Sequence, residues 1–444
     1  MKMLHKRILW IGATILFLIA APLLLGYALG YRYNFQKQKI ESTGIIYIKT
    51  FPRNAIVYVN DKLEAKVTPT QINYLLPGRY RVRVEKIGFF DWRKELAVQA
   101  GLTTFIEDVV MFRDSAATEM ASASLFQLAT LYDNRRWLAV RHGVETVSFS
   151  IFSAESGTFQ TVIDFPPGDD VELLNVAPGG DNLIYRHNKA TYLLTLQPTR
   201  QITDLGNLSP RYWDNFKWHP LQSNTVYSQI DNILSEIVID ANGGRILRQL
   251  NDVLFYFPTV RGLYYVTEEQ GQQKLYLASD NLDSAEYIVN LPHTENLTAE
   301  LVDDILTLVD KTNHTVYLLR LGQQTELLQM FSETDNISWY PVNSDKMLYW
   351  NENQINIYYP STNSSILLTR LTDPIHSVHW HPNGTYVLYT SADGTYITET
   401  DQRDYRNVYQ LSDIDYPDNL ILNQKGSLMY IFKRGQGFFS YQIQ

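Results

Sequence analysis

The sequence predicts an all-β protein carried behind one membrane-crossing helix, and three observations predict it. Aromatic residues make up 13% of the 444 residues, as 30 Tyr, 19 Phe and 8 Trp, and such side chains fit the pleated, half-buried surface of a strand. Residues 8–29, ILWIGATILFLIAAPLLLGYAL, form an uncharged block of 22 residues, long enough as a helix to cross about 30 Å of hydrocarbon. Beyond residue 112 the chain repeats at a period near 41 residues, the size of a four-stranded unit. No cysteine is present, which excludes disulfide scaffolds, thiolate metal sites and cysteine nucleophiles while leaving the redox compartment open.

The apolar block follows Lys2, Lys6 and Arg7, as a secretory signal does, yet it exceeds the usual h-region of about 7–15 residues. It reads as a retained signal anchor over 8–30; the rival reading is cleavage after Ala28 in Gly26-Tyr27-Ala28. Arg32, Lys37 and Lys39 balance the three cations before the span, so positive charge alone does not orient it. The expected order is a short cytoplasmic segment 1–7, the span, a linker 31–42, and the folded mass on the extracytoplasmic side.

Charge divides the remainder. Residues 43–112 hold ten cations against seven carboxylates, whereas residues 113–444 hold 22 against 39, a balance of −17. A nucleic-acid binder normally shows the opposite sign over its main domain, so no nucleic-acid partner is expected. The basic part near the membrane reads as a solvated surface, with anionic lipid or an acidic wall polymer as the alternative contact.

Residues 43–112 alternate short strands with turns. In Arg79-Tyr80-Arg81-Val82-Arg83-Val84-Glu85, Tyr80, Val82 and Val84 occupy one face and the charged residues the other. Asn60-Asp61, Thr68-Pro69 and Pro77-Gly78 supply turns. About 70 residues of this pattern suit a small β-sandwich. Phe51-Pro52-Arg53-Asn54-Ala55, Val57-Tyr58-Val59-Asn60-Asp61, Thr68-Pro69, Leu76-Pro77-Gly78-Arg79-Tyr80 and Lys86-Ile87-Gly88-Phe89-Phe90 follow in the order and spacing of the PEGA domain, which the segment resembles throughout. It departs at the eponymous tetrapeptide, where Arg53-Asn54 replace Glu-Gly. The resemblance implies a non-catalytic module of surface-associated and envelope proteins.

In the repeated part, Phe216-Lys217-Trp218-His219-Pro220, Ile337-Ser338-Trp339-Tyr340-Pro341 and Val378-His379-Trp380-His381-Pro382 align. Trp339 and Trp380 are 41 residues apart and Trp218 and Trp339 are 121 apart, close to three units. Each Trp-x-Pro precedes an apolar strand, Val226-Tyr227, Leu348-Tyr349-Trp350 or Leu388-Tyr389, and weaker copies begin at Val176-Ala177-Pro178, Tyr256-Phe257-Pro258 and Leu420. A second motif, an apolar residue shortly before Asp, recurs at Asp164, Asp204, Asp252, Asp373 and Asp413. Four short strands per unit are the size of a propeller blade, so a seven- or eight-bladed β-propeller over 113–444 is expected, with residues near 115–125 closing the last blade. The first unit, around 131–143, is weakly marked. Trp218, Trp339 and Trp380 are then inter-blade core residues, and Asp ends the outer strand. The units resemble the repeats of periplasmic Tol-type propellers, nearest at Trp380-His381-Pro382-Asn383-Gly384 and Leu371-Thr372-Asp373; that resemblance implies the fold and a tendency to bind proteins.

Candidate chemistry is sparse. His376, His379 and His381 invite a metal reading, but His381 occupies the repeat position of His219 and Tyr340, and no carboxylate stands at fixed spacing, so no metal is expected. Asp169-Asp170 and Asp303-Asp304 lack the spacing of a calcium loop and read as solvated turns. Asn207, Asn296, Asn313, Asn336, Asn363 and Asn383 begin sequons of the number expected by chance in a Thr/Ser-rich β protein. No nucleophile elbow, Walker loop, zincin helix or dinucleotide fingerprint occurs, so neither catalytic residues nor a cofactor are assigned. The expected function is that of a non-enzymatic envelope scaffold: a single-pass membrane anchor, a module serving as stalk or wall-contacting spacer, and an acidic propeller offered to an envelope protein or a cell-wall or surface glycan. The alternative is a propeller hydrolase or lyase with a site on the axis.

Overall fold

A computed structural model describes residues 2–444 except 36, 65, 122–124, 131–135, 143–145, 154–155, 178–179, 197–199, 209–213, 241–242, 279–283 and 323. The start of the weakly marked first repeat and Pro178 of the Val176-Ala177-Pro178 copy therefore lie outside the described residues. The chain divides into two compact units, one of Met1–Ser115 with Ile397–Leu411 and Gln442–Gln444, the other of Ala116–Tyr396 with Ser412–Tyr441.

The first unit opens with a helix, Lys2–Ala28, whose stretch Trp10–Ala28 has a mean hydropathy of 2.1 and is covered by no other part of the chain. Residues 31–42, expected as a linker, instead form a hairpin of Tyr31–Asn34 against Lys39–Ser42. Two sheets follow. Gly44–Phe51 runs antiparallel to Thr70–Leu75 and parallel to Thr103–Val110, and the second sheet has the order Lys62–Leu63, Ile56–Val59, Gly78–Glu85, Trp92–Val98. Their apolar faces supply a shared core of Ile46, Ile48, Val57, Val82, Val84, Trp92 and Leu96. Val82 and Val84 are buried while Arg79 and Arg81 are exposed, as the alternation requires.

Among the described residues, eight four-stranded sheets succeed one another, beginning with Leu125–Thr130, Val171–Val176, Asp214–His219, Val253–Thr259, Leu297–Val302, Asn336–Trp339, Ser377–Trp380 and Asn419–Leu422. Second strands such as Ile305–Asp310 and Tyr386–Ser391 are buried along their whole length, which fits their predominantly apolar sequence. First strands of successive sheets lie against each other, Val171–Val176 beside Asp214–His219 and Asn336–Trp339 beside Ser377–Trp380, so they are the inner strands. Thr118–Ala121 pairs with Gly437–Gln442 and completes the last sheet from the front of the chain. First and last sheets share one core, in which Trp137 and Phe152 meet Tyr430 and Phe438 with ring centroids 5.5 Å apart for Trp137 and Tyr430 and 4.9 Å for Phe152 and Phe438, and this closes the ring.

Candidate functional site

The turns that leave the inner strands share one end of the ring, because every sheet runs in the same sense. Three successive turns meet there around a cavity of about 720 Å³ lined by Pro341, Val342, His379, Trp380, Pro382 and residues 419–424. Its floor is apolar and its polar groups are amides and one imidazole. Asn419–Leu422 is the edge strand of its sheet and borders the cavity along its whole length. His379 keeps some accessible area because its ring faces this space, yet protein surrounds it, and burial pushes its pKa down to about 4. It is uncharged at neutral pH. In the turns after three of the inner strands Leu221, Val260 and Val342 are 70%, 59% and 71% exposed, apolar tips on a strongly acidic domain, and Val342 lines the cavity.

The histidines singled out in the sequence do not converge. His381 sits just past its strand, where Nε2 donates to the carbonyl of Gly426 at 3.2 Å, and burial holds its pKa below the usual histidine value. Tyr340, one repeat earlier, donates from its hydroxyl to the carbonyl of Pro382 at 3.0 Å. At Tyr340 and His381 this column stitches a sheet to the next sheet's turn, whereas His219 accepts from the Leu221 amide of its own turn at 3.1 Å. His376 faces the ring of Tyr416 instead. Among the described residues no three of His, Asp or Glu come together as metal ligands. Other bonds bear the same repeat spacing: Asn175 to the carbonyl of Phe216 at 2.6 Å, Asn182 to Ser223 at 2.9 Å, and Lys217 to Tyr256 at 2.7 Å. Lys217 lies over the rings of Tyr256 and Phe257, and burial lowers its pKa to about 8.

Trp218, Trp339 and Trp380 are buried in clusters that draw residues from successive sheets. Trp339 Nε1 donates to Thr307 Oγ1 at 2.9 Å and Trp380 Nε1 to the Ser338 carbonyl at 3.0 Å, while the ring of Trp380 also forms part of the cavity wall. Asp169 accepts from His187 at 2.6 Å, and Asp303 accepts from the Ser344 amide at 3.3 Å. Both close turns.

Sequence reading missed a buried ionic cluster in the first unit. Lys94 is fully buried and its Nζ pairs with Glu399 at 3.1 Å and Asp401 at 3.4 Å, while donating to the carbonyls of Asp401 and Arg403. Glu399 also accepts from Trp92 Nε1 at 3.1 Å and from the Asn407 amide at 2.7 Å. Asn407 and Asp404 accept from the backbone of Arg93 and Glu95, so side chains cover the free edge of Trp92–Val98. No sequence signal marks this cluster, since its halves lie about 300 positions apart.

Residues 43–109 match the PEGA domain family. Among solved structures the chain is similar to the C-terminal WD40 domain of Sif2, at 12% identity and a TM-score of 0.50, over 74% of this chain and 99% of that one. It is similar to the Dos1 propeller at 11% identity and a TM-score of 0.50, over 74% of this chain and 95% of that one. No curated protein matches the sequence. The chain thus carries a PEGA domain and a β-propeller fold behind one apolar N-terminal helix.

Proposed function

We propose that the protein is a single-pass membrane scaffold of the cell envelope, with residues 1–7 in the cytoplasm, 8–30 as the anchor, 43–112 as a stalk or wall-contacting spacer, and 113–444 as a non-enzymatic binding platform outside. The observation that carries this reading is the cavity at three inner turns, where an edge strand, the ring of Trp380 and the exposed Val342 line one space on an acidic domain. Edge strands recognise extended polypeptide through main-chain bonds, and apolar pockets beside them select side chains. The partner we infer is an envelope protein that inserts an extended apolar segment; a wall or surface glycan is the second class, and neither nucleic acid nor cofactor enters.

A photo-reactive residue at position 342 of the full chain in native membranes tests this. The expected result is one recurrent polypeptide adduct that is lost in Leu422→Asp, at the cavity wall, and is not formed by the same probe at position 87. Turnover of a glycan or peptide library without a stable adduct overturns the reading in favour of an axial enzyme.

A further inference from the structure

The hairpin that follows the helix has two unlike faces. Tyr33 pairs with Ile40 and Tyr31 with Ser42, and Tyr31, Tyr33, Ile40 and the adjoining Phe35 are all exposed, Phe35 by 84%. On the other face Arg32 stands opposite Glu41, which also pairs with Lys39 at 2.8 Å and accepts from Asn34 at 2.7 Å. A two-stranded hairpin is at best marginally stable in water, and this one leaves its aromatic face uncovered by the chain.

Its place in the unit identifies what covers that face. The apolar helix ends at Ala28, three residues before the hairpin. Arg32 caps that end, donating to the carbonyls of Tyr27 and Tyr31 at 2.7 and 2.9 Å, with its guanidinium 3.6 Å from the centroid of the Tyr27 ring and 4.4 Å from that of Tyr74. Gly30 accepts from both the amide and the hydroxyl of Thr43, so the helix end, the hairpin and the first strand of the module are joined by short bonds. Tyr with Arg or Lys is the composition of the membrane–water interface, where a ring lies among headgroups and the cation meets phosphate.

We propose that the hairpin 31–42 is a second membrane contact, laying Tyr31, Tyr33, Phe35 and Ile40 into the headgroup layer while the opposite face, where Glu41 pairs with Lys37 and Lys39, stays in water. This rests on the reading of 8–30 as a membrane span. The hairpin fixes the module at the bilayer surface where a flexible tether leaves it free.

The absence of cysteine allows a clean test. Single spin labels are placed by Phe35→Cys, Tyr33→Cys, Leu18→Cys and Ile87→Cys in the full chain, reconstituted in nanodiscs of phosphatidylcholine with phosphatidylglycerol. Accessibility to a water-soluble relaxation agent is expected to be high at 87, lost at 18, and reduced at 33 and 35. Labels at 33 and 35 as accessible as 87, with 18 protected, overturn the hairpin contact and leave the span intact; an accessible label at 18 overturns the span itself.

Discussion

At the turn Gly426, φ is +68° and a Cβ added to the residue would lie 2.2 Å from Nε2 of His381. The same holds one repeat earlier, where φ at Gly384 is +70° and a Cβ meets the Tyr340 ring at 2.7 Å. Glycine is needed at both for the left-handed backbone and for the side chain that reaches across from the preceding sheet. Gly426→Ala is expected to cost about 2–4 kcal/mol in chemical denaturation, against about 1 kcal/mol for Gly435→Ala, which has positive φ and open space. Histidine titration belongs to the same scale. The folded pKa of His379, about 4, and that of His381 both lie below the unfolded value of about 6.5, so the unfolded chain binds more protons in between. Their contribution is complete above the unfolded value and lost as pH falls towards the folded one. The midpoint of thermal unfolding should therefore drop between about pH 6.5 and 4, and His379→Asn should make that slope shallower.

At the scale of elements, alternation and period decided what the sequence revealed. Val82 and Val84 against Arg79 and Arg81 marked a strand, and the Trp218, Trp339 and Trp380 column marked the inner strands, because local burial leaves a local pattern. The hairpin 31–42 reads as a linker in the sequence although Tyr31, Tyr33 and Phe35 alternate, since its turn lacks a Gly or Pro signal and its strands are only four residues long. The inclusion of Ile397–Leu411 in the first unit had no such signal: Lys94 sits between Arg93 and Glu95 in a run that reads as solvated. The cavity at the inner turns is equally hidden in the sequence, because its wall is assembled from turns of three sheets. Removing one member of a buried ion pair leaves the other charge uncompensated, so Lys94→Met is expected to destabilise by about 3–5 kcal/mol, read from the shift in denaturant midpoint. A loss below about 1 kcal/mol would place Glu399 in a wetter setting than its burial indicates.

At the scale of the molecule, eight sheets among the described residues, read as eight blades, divide the repeated part into its units of about 41 residues. The ring is held by apolar cores between neighbours and by one strand borrowed from its own front, with no disulfide to assist. Glu119→Pro, which blocks pairing between Thr118–Ala121 and Gly437–Gln442, is expected to make the last sheet exchange its amide protons faster than the sheets in the middle of the ring. The account as a whole depends on the propeller standing outside the membrane with its inner turns free. A Val342→Cys chain treated on intact cells with a membrane-impermeant maleimide tests this most directly, since no other thiol competes. Labelling equal to that of lysed cells is the predicted result; labelling that appears only after lysis contradicts it.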